Sequence, residues 1–495
     1  MSQIKIGWAK REISLDQPMS LPGQMHMRIS KKILDPMYVT ALCLEKDGEC
    51  VIFLSGDLLS PMGMETVPEL VQQQNPEIKP EFILPNGTHA HTGGARRKTP
   101  ETTPDGKSVY SGEVYRDFVN QQAADAICEA WENRKEGGVS YGYGYAVVGH
   151  QRRSVYFDDT SLRQTANPVA PNGHGIMYGK TNDPMFSHYE TGADHFVNAM
   201  FTYDAQGKLT GILVNVPCPS QTSEMFSMQT ADYWHDVRVA VAAEFGEDVF
   251  VLPQCAAAGD TSPRILHYLK AQERRLRLKY GIEKGETLEE HRYNKAMGER
   301  KDIAERILEA LKDIYSWSKK EILTDPALHH KMELVPIRRR MITEEEAQWC
   351  RDNIAAMEQR IPERGEATDE QYRKAVSTYN AIKNRNTSAL DRYAHQEENS
   401  ILNTVVHVVQ VGEVAFASNR FELYQDYMHR IQARSPFIQT FVVQLASFEG
   451  GTYLATQRGV ENKGYSASLF CNIVGPEGGH ELVEHTLRML EEIKE

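Results

Sequence analysis

Short apolar runs that end in small or polar residues recur through the first half of the chain, at 51–54, 82–87, 212–216 and 249–252. Runs of this length, bounded by turn residues, predict buried strands. Between them, 112–133 has apolar residues at near-helical spacing, and 230–245 reads as a helix with Thr230 as its N-cap. Strands that alternate with helices predict an α/β fold, in which chemistry collects in loops beyond the carboxyl ends of strands.

The segment 265–400 has a different pattern, rich in Glu, Lys, Arg and Gln and poor in glycine. Within it, 303–314 and 343–357 predict amphipathic helices, and 332–340 could form a strand. Strand signals return at 405–411 and 441–445, and 480–493 predicts a closing helix. We therefore predict an α/β domain with a mixed-sheet core flanked by helices, built from 1–264 and 401–495, with a mostly helical insertion at 265–400.

Composition excludes several classes of protein. The 495 residues carry a formal net charge of −13, and no block of basic residues suggests nucleic-acid binding. No run of 18 apolar residues predicts a transmembrane helix. The N-terminal residues contain no apolar signal-peptide core, so we expect a cytoplasmic protein, or an exported one whose leader has been removed. The seven cysteines contain no CxxC pair and suggest no disulfide framework. The expected partner is a small-molecule or oligosaccharide substrate, and the insertion could serve as a lid or as the interface of a homo-oligomer.

The most specific local motif is Thr88-His89-Ala90-His91-Thr92-Gly93-Gly94. On an extended backbone His89 and His91 face the same side, because side chains alternate with a period of two. Two imidazoles beside flexible glycines suit a metal site. Two hydrogen-bonded histidines near a turn would give the same pattern.

Two further loops follow predicted strands. Cys218 lies between two prolines, where its thiolate could bind zinc or where it could be a buried, inert thiol. Asp260 and Ser262 lie in Gly259-Asp260-Thr261-Ser262-Pro263. They could orient a substrate or a water, or they could simply form a tight turn.

Taken in order, these motifs resemble the catalytic domain of the neutral (alkaline, non-lysosomal) ceramidase family, as a divergent bacterial-type member without the C-terminal immunoglobulin-like domain. The resemblance rests on motif order at 55–57, 88–94, 151–154, 218–232 and 259–263, and on Glu422 and Tyr453. It implies a zinc-dependent amidase site with one zinc per chain.

By this resemblance, His89, Glu422 and Tyr453 are zinc ligands, although Arg420 could take the place of Glu422. The family's second histidine ligand falls at Cys218, so that a thiolate could replace an imidazole there. The resemblance also places His91 close to the metal and likens Ser262 to the family's active-site serine, which could bind the substrate or a developing oxyanion. His91, Asp57 or Asp260 could accept or orient the proton of the attacking water.

Five arginines lie beside the candidate loops: Arg96, Arg97, Arg152, Arg153 and Arg264. A guanidinium group matches a carboxylate or sulfate bidentately. We therefore expect a hydrolase of an amide or ester bond in a polar, anionic or sugar-derived substrate. Two alternatives stay open: a lyase or glycoside-cleaving enzyme that acts on uronic-acid glycans, and a degenerate protein that binds a ligand without turnover.

Overall fold

Two mixed sheets lie face to face between outer layers of helices in the computed structural model, which describes residues 2–100, 102–163 and 169–494. The strands are β1 (Lys5–Glu12), β2 (Ser20–Leu21), β3 (Arg28–Ile29), β4 (Tyr38–Lys46), β5 (Glu49–Gly56), β6 (Ile83–Gly87), β7 (Lys135–Tyr145), β8 (His150–Gln151), β9 (Arg153–Tyr156), β10 (Gly175–Met177), β11 (Phe186–Tyr189), β12 (Phe196–Asp204), β13 (Leu209–Val216), β14 (Phe250–Cys255), β15 (Thr261–Ser262), β16 (Leu328–Arg338), β17 (Ile401–Val411), β18 (Val414–Ser418), β19 (Glu422–Leu423), β20 (Gln439–Val443) and β21 (Tyr453–Leu454).

The helices are α1 (Val67–Gln74), α2 (Gly112–Glu132), α3 (Tyr233–Phe245), α4 (Leu269–Tyr280), α5 (Leu288–Ser318), α6 (Glu344–Glu358), α7 (Asp369–Ala394), α8 (Gln425–Arg434), α9 (Gln457–Asn462) and α10 (Pro476–Ile493). Short 3₁₀ turns lie at Pro80–Phe82, Thr160–Leu162 and Tyr465–Ala467. Within the described ranges, no helix is both long and apolar enough to cross a membrane.

The larger sheet has the order β14-β13-β12-β7-β1-β4-β5-β6, and the smaller has the order β16-β17-β18-β20. Their facing sides share one apolar cluster, to which β5 contributes Val51 and Phe53 and β18 contributes Phe416. The alternate residues Ile52 and Leu54 pack on the other side of the larger sheet, in the cluster that includes α1 and α2. Burial on both faces explains why β5 reads as a continuous apolar run.

The predicted α/β class, with a mixed sheet flanked by helices, is confirmed. The predicted N-cap of α3 is wrong by two residues. Asp232, not Thr230, precedes the helix and accepts a hydrogen bond from the N–H of Tyr233. Asp232 also accepts from the backbone N–H groups of Thr222 and Ser223, so it joins the helix start to the loop after β13.

The segment 265–400 contributes to several layers of the fold. Helix α5 packs on the larger sheet through Ile303, Ile307 and Leu311. Strand β16 pairs along the whole length of β17 and forms an edge of the smaller sheet. Helices α6 and α7 pack on each other outside both sheets. The boundaries of the insertion stay a prediction, but its strand is an integral part of the core.

Candidate active site

Loops beyond the ends of parallel strands bring His89, Glu422 and Tyr453 together. His89 follows β6 and has a φ of 64°, a left-handed conformation that residues other than glycine seldom adopt. Glu422 and Tyr453 are paired neighbours in β19 and β21. His89 Nε2 lies 3.3 Å from Glu422 Oε2, and His89 Nδ1 lies 2.9 Å from the carbonyl oxygen of Leu59. Because Nδ1 donates its proton to that carbonyl, the Nε2 atom of the ring is the one that faces the carboxylate.

Glu422 is held in its charged form. Burial by itself raises a carboxyl pKa. Here His89, Arg152 and a hydrogen bond from Tyr453 outweigh burial and hold the pKa of Glu422 below its usual value. The charged Glu422 oxygen and His89 Nε2 therefore face each other over 3.3 Å, a spacing that suits a proton or another cation held between the two atoms.

His91 adds a third acceptor atom beside this pair. Its Nε2 lies 3.3 Å from His89 Nε2 and 2.8 Å from Gln221 Nε2. Arg152 donates to Gln221 Oε1 over 3.2 Å, which orients the amide so that its NH₂ donates to His91. The His91 proton then lies on Nδ1, 3.3 Å from Glu224 Oε2. Burial, reinforced by His89 and nearby arginines, lowers the pKa of His91 well below its usual value, so the ring is neutral.

Arg152 connects the parts of the cluster and is only 1% exposed. One terminal nitrogen donates to the Tyr453 hydroxyl over 3.2 Å and to the Gly259 carbonyl over 2.9 Å. The same nitrogen lies 3.9 Å from Glu422 Oε2. Burial raises the pKa of Tyr453 well above its usual value, although Arg152 opposes this change. Tyr453 therefore keeps its proton.

These groups form one end of a large cleft. Its volume is about 1040 Å³, and His89, His91, Glu422 and Tyr453 all line it. We call these four side chains, together with Arg152, the floor of the cleft. The lining also includes residues of α7 and of the loop after the histidines, among them Arg96 and Arg97.

Neutral ceramidase from Pseudomonas aeruginosa matches with a TM-score of 0.66 and 14% sequence identity, over 99% of this chain and 75% of that chain. A ceramidase complexed with C2 matches with the same TM-score, identity and coverage. The fold is that of neutral ceramidase. The resemblance predicted from the motifs is thus confirmed for the fold. No protein-family model and no curated protein matches the sequence.

The floor fits part of the zinc site that the neutral-ceramidase resemblance implies. In a tetrahedral zinc site with bonds of 2.0–2.1 Å, neighbouring donor atoms are about 3.3 Å apart. That is the separation between His89 Nε2 and Glu422 Oε2. Across the described ranges, no group of three or more His, Cys, Asp and Glu side chains is arranged to hold a metal. This absence agrees with the expected ligand set, in which Tyr453 supplies one of the donor atoms and His91 supplies none, because its lone pair accepts from Gln221.

Cys218 does not join this cluster. It lies in the apolar cluster with Val216, Trp234 and Ile307, and its thiol contacts the carbonyl of Pro219. Burial raises its pKa well above the usual value. In the described part of the chain no hydrogen bond joins the thiol to the floor, so its environment matches the buried, inert alternative. Arg420 also points elsewhere and pairs with Glu449 at 2.7 Å.

Three other predicted catalytic residues have partners outside the floor. Asp57 forms a bidentate ion pair with Arg238, with distances of 2.8 and 3.0 Å. Asp260 accepts from the backbone N–H of Gln425, and burial raises its pKa to about 6. Ser262 is fully buried and accepts from the N–H of Arg264, which is the turn role that the sequence offered as an alternative.

The five predicted arginines lie in four different environments. Arg152 belongs to the floor, and Arg96 and Arg97 line the cleft. Arg264 pairs with Glu224 at 2.5 Å, beside His91. Arg153 points away and forms a fully buried ion pair with Glu190, with distances of 2.7 and 2.9 Å.

Sequence reasoning missed Gln221, Glu224 and Tyr178. Gln221 and Glu224 lie in the loop after β13 that also carries Cys218, and both contact His91. Tyr178 accepts a hydrogen bond from Arg152 over 3.2 Å. The sequence did contain a signal for two of them. Gln221 and Glu224 lie shortly after a buried strand, three and six positions beyond Cys218.

Proposed function

We propose that this chain is a zinc-dependent hydrolase that cleaves an amide or ester bond in a polar, anionic or sugar-derived substrate. The observation that carries the proposal is His89 Nε2 facing the charged Glu422 Oε2 over 3.3 Å, on the floor of a large cleft. The neutral-ceramidase fold supports the reaction class by analogy.

His89, Glu422 and Tyr453 would hold the metal. A bound zinc ion supplies a Lewis acid that polarises a carbonyl and lowers the pKa of water to about 7. The Leu59 carbonyl fixes the ring of His89, and Arg152 fixes the hydroxyl of Tyr453. His91 is neutral and lies next to His89, and its Nε2 would accept a proton from the attacking water once that water replaces the Gln221 amide as its hydrogen-bond partner.

Metal content is the first test. Elemental mass spectrometry of the purified protein, without added metal, should find about one zinc per chain. The metal should be lost in His89→Ala and retained in Cys218→Ala, because only His89 lies on the floor. A metal-free wild-type protein, or loss of metal only in Cys218→Ala, would contradict this ligand set.

A lyase acting on uronic-acid glycans is the second candidate, and one arrangement favours it. Arg152 and Tyr453 lie within 3.2 Å of each other near the neutral His91. A lyase needs a proton acceptor beside groups that neutralise a carboxylate. Both activities are tested on acidic glycans and on an amide and ester panel. A rise in ultraviolet absorbance from unsaturated uronates identifies the lyase, whereas release of free acid without that rise identifies the hydrolase. Tight binding with neither product identifies a non-catalytic protein.

A further inference from the structure

Helix α7 places a stripe of residues along the cleft. The residues of α7 that line it are Ala381, Asn384, Arg385, Ser388, Ala389 and Arg392. Their spacing of three and four positions puts them on one face of the helix. The ceramidase resemblance did not cover this helical segment. One face of α7 nevertheless lines the cleft.

Three arginines in this cleft have terminal nitrogens without partners. Arg385 and Arg392 come from α7, and Arg96 comes from the loop after the histidines. One terminal nitrogen of each is buried and has no hydrogen-bond partner among the described residues. We call these three side chains the arginine wall. Buried guanidinium groups are normally paired, so the free N–H groups indicate a missing acceptor.

The other contacts of these arginines hold them in place without neutralising them. Arg385 donates to the Tyr465 hydroxyl over 2.8 Å and stacks on that ring at 5.0 Å. Arg96 donates to the carbonyl of Ser60. Arg392 has no ion pair in the described ranges, and burial together with Arg340 and Arg339 lowers its pKa to about 10.

The charged residues that line the cleft also favour an anionic ligand. Among described residues, the lining contains six arginine or lysine side chains and three glutamates. One of those glutamates is Glu422, which faces His89 on the floor. A second, Glu65, accepts from the backbone N–H of Gly63. The part of the cleft beyond the floor therefore has an excess of positive charge.

We propose that the arginine wall is the anion-binding part of the substrate site. Arg385, Arg392 and Arg96 bind carboxylate or sulfate groups of an elongated substrate whose scissile bond lies at the floor. Arg385 and Arg392 are seven residues apart, which is about 10 Å along a helix, so the ligand carries more than one anionic group. This inference rests on the proposed hydrolase for the position of the scissile bond, but the binding it predicts is measurable without turnover.

The test is direct binding by calorimetry at constant ionic strength. The probes are hexagalacturonate, sodium sulfate and the neutral maltohexaose. The variants are Arg385→Gln and Arg392→Gln. The matched control is Lys383→Gln, which removes the same charge from the same helix at a position that does not line the cleft. Melting curves check that each variant is folded.

We expect hexagalacturonate to bind most tightly and maltohexaose not to bind. Each arginine variant should weaken binding about tenfold or more, which is the loss expected for one charge-assisted hydrogen bond, and Lys383→Gln should have no effect. Equal binding of acidic and neutral probes, or equal weakening by all three variants, would overturn the proposal.

One further variant separates the zinc hydrolase proposal from the arginine-wall proposal. His89→Ala should lose metal and turnover but keep its affinity for hexagalacturonate, because His89 is not part of the arginine wall. Anion binding in a wild-type protein that holds no zinc would end the zinc hydrolase proposal and leave the arginine wall intact. A zinc-loaded, active protein that does not prefer the acidic probe would end the arginine-wall proposal and leave the zinc hydrolase proposal intact.

Discussion

The arginine on the floor of the cleft and those of the arginine wall differ in how their terminal nitrogens are paired. On the floor, Glu422 lies against His89 and Arg152, and Arg152 donates to acceptors on Tyr178, Gln221, Gly259 and Tyr453. In the wall, each arginine keeps a buried terminal nitrogen that no described residue accepts from. Arginine nitrogens that donate to protein acceptors are held in a fixed position, whereas those without an acceptor can donate to a ligand. In our proposals the floor carries the chemistry and the arginine wall recognises the substrate.

The largest expected effect tests the floor. Glu422→Gln removes the charge that faces His89, so we expect turnover to fall by about 10³–10⁴-fold, together with loss of the metal. Steady-state kinetics and elemental analysis measure both. Glu449→Gln is the control, because Glu449 pairs with Arg420 at the surface. A variant of Glu422 with unchanged turnover would remove it from the site.

The next effect concerns a paired arginine outside the cleft. Arg153→Met leaves Glu190 buried without its partner, and we expect the free energy of unfolding to fall by about 3–5 kcal/mol. Denaturant titration measures this loss. Arg434→Met removes an exposed pair with Glu484 and should cost no more than about 1 kcal/mol. Equal losses in the two variants would show that burial does not determine how much each ion pair contributes to the free energy of unfolding.

A smaller effect tests whether His91 must stay in place. Gly23 has a φ of 87°, and a Cβ built there would lie 2.3 Å from His91 Nδ1. Gly48 has a φ of 89° with nothing within 4 Å. Alanine should cost each site about 1–2 kcal/mol of backbone strain, seen in melting curves. Only Gly23→Ala should also lower kcat, and an equal kcat in both variants would argue against a role for His91.

The smallest effect tests the wall without any ligand. Arg392→Gln removes a buried charge that has no ion pair in the described ranges. We therefore expect the free energy of unfolding to stay the same or to rise by up to about 1 kcal/mol. Arg340→Gln should instead lose about 1.5–3 kcal/mol, because it breaks a bidentate contact with Glu346. A clear loss in Arg392→Gln would mean that Arg392 is structural.

The fold was largely predictable because its strands are buried on both faces. Such strands read as apolar runs, and the runs at 51–54 and 212–216 lie within β5 and β13. The loops after them also indicated where chemistry collects. Local pattern could not distinguish Thr230 from Asp232 as the N-cap of α3, because both types cap helices and the choice depends on contacts with the loop at 222–223.

The site was predictable only in part, for a different reason. His89, Glu422 and Tyr453 stand in recognisable motifs, and the structure brings them together. Arg385 lies in a polar helix that reads as solvated, and only the packing of α6 and α7 against the body of the protein turns one face of that helix to the cleft. Gln221 was obscured by Cys218, since a thiol three residues away is the more familiar zinc ligand.

The way α7 is attached has a consequence for how proteins of this kind diversify. The helix lies outside both sheets and is joined to the body through a small apolar cluster and through polar contacts such as Arg373 with Asp105. By our proposals, substitutions along its inner face would change which ligands the cleft selects, while the strands next to the floor are left undisturbed. Apart from Arg96, which follows the two histidines, the arginine wall is encoded in a different stretch of the gene from the floor, so each could change or be exchanged separately.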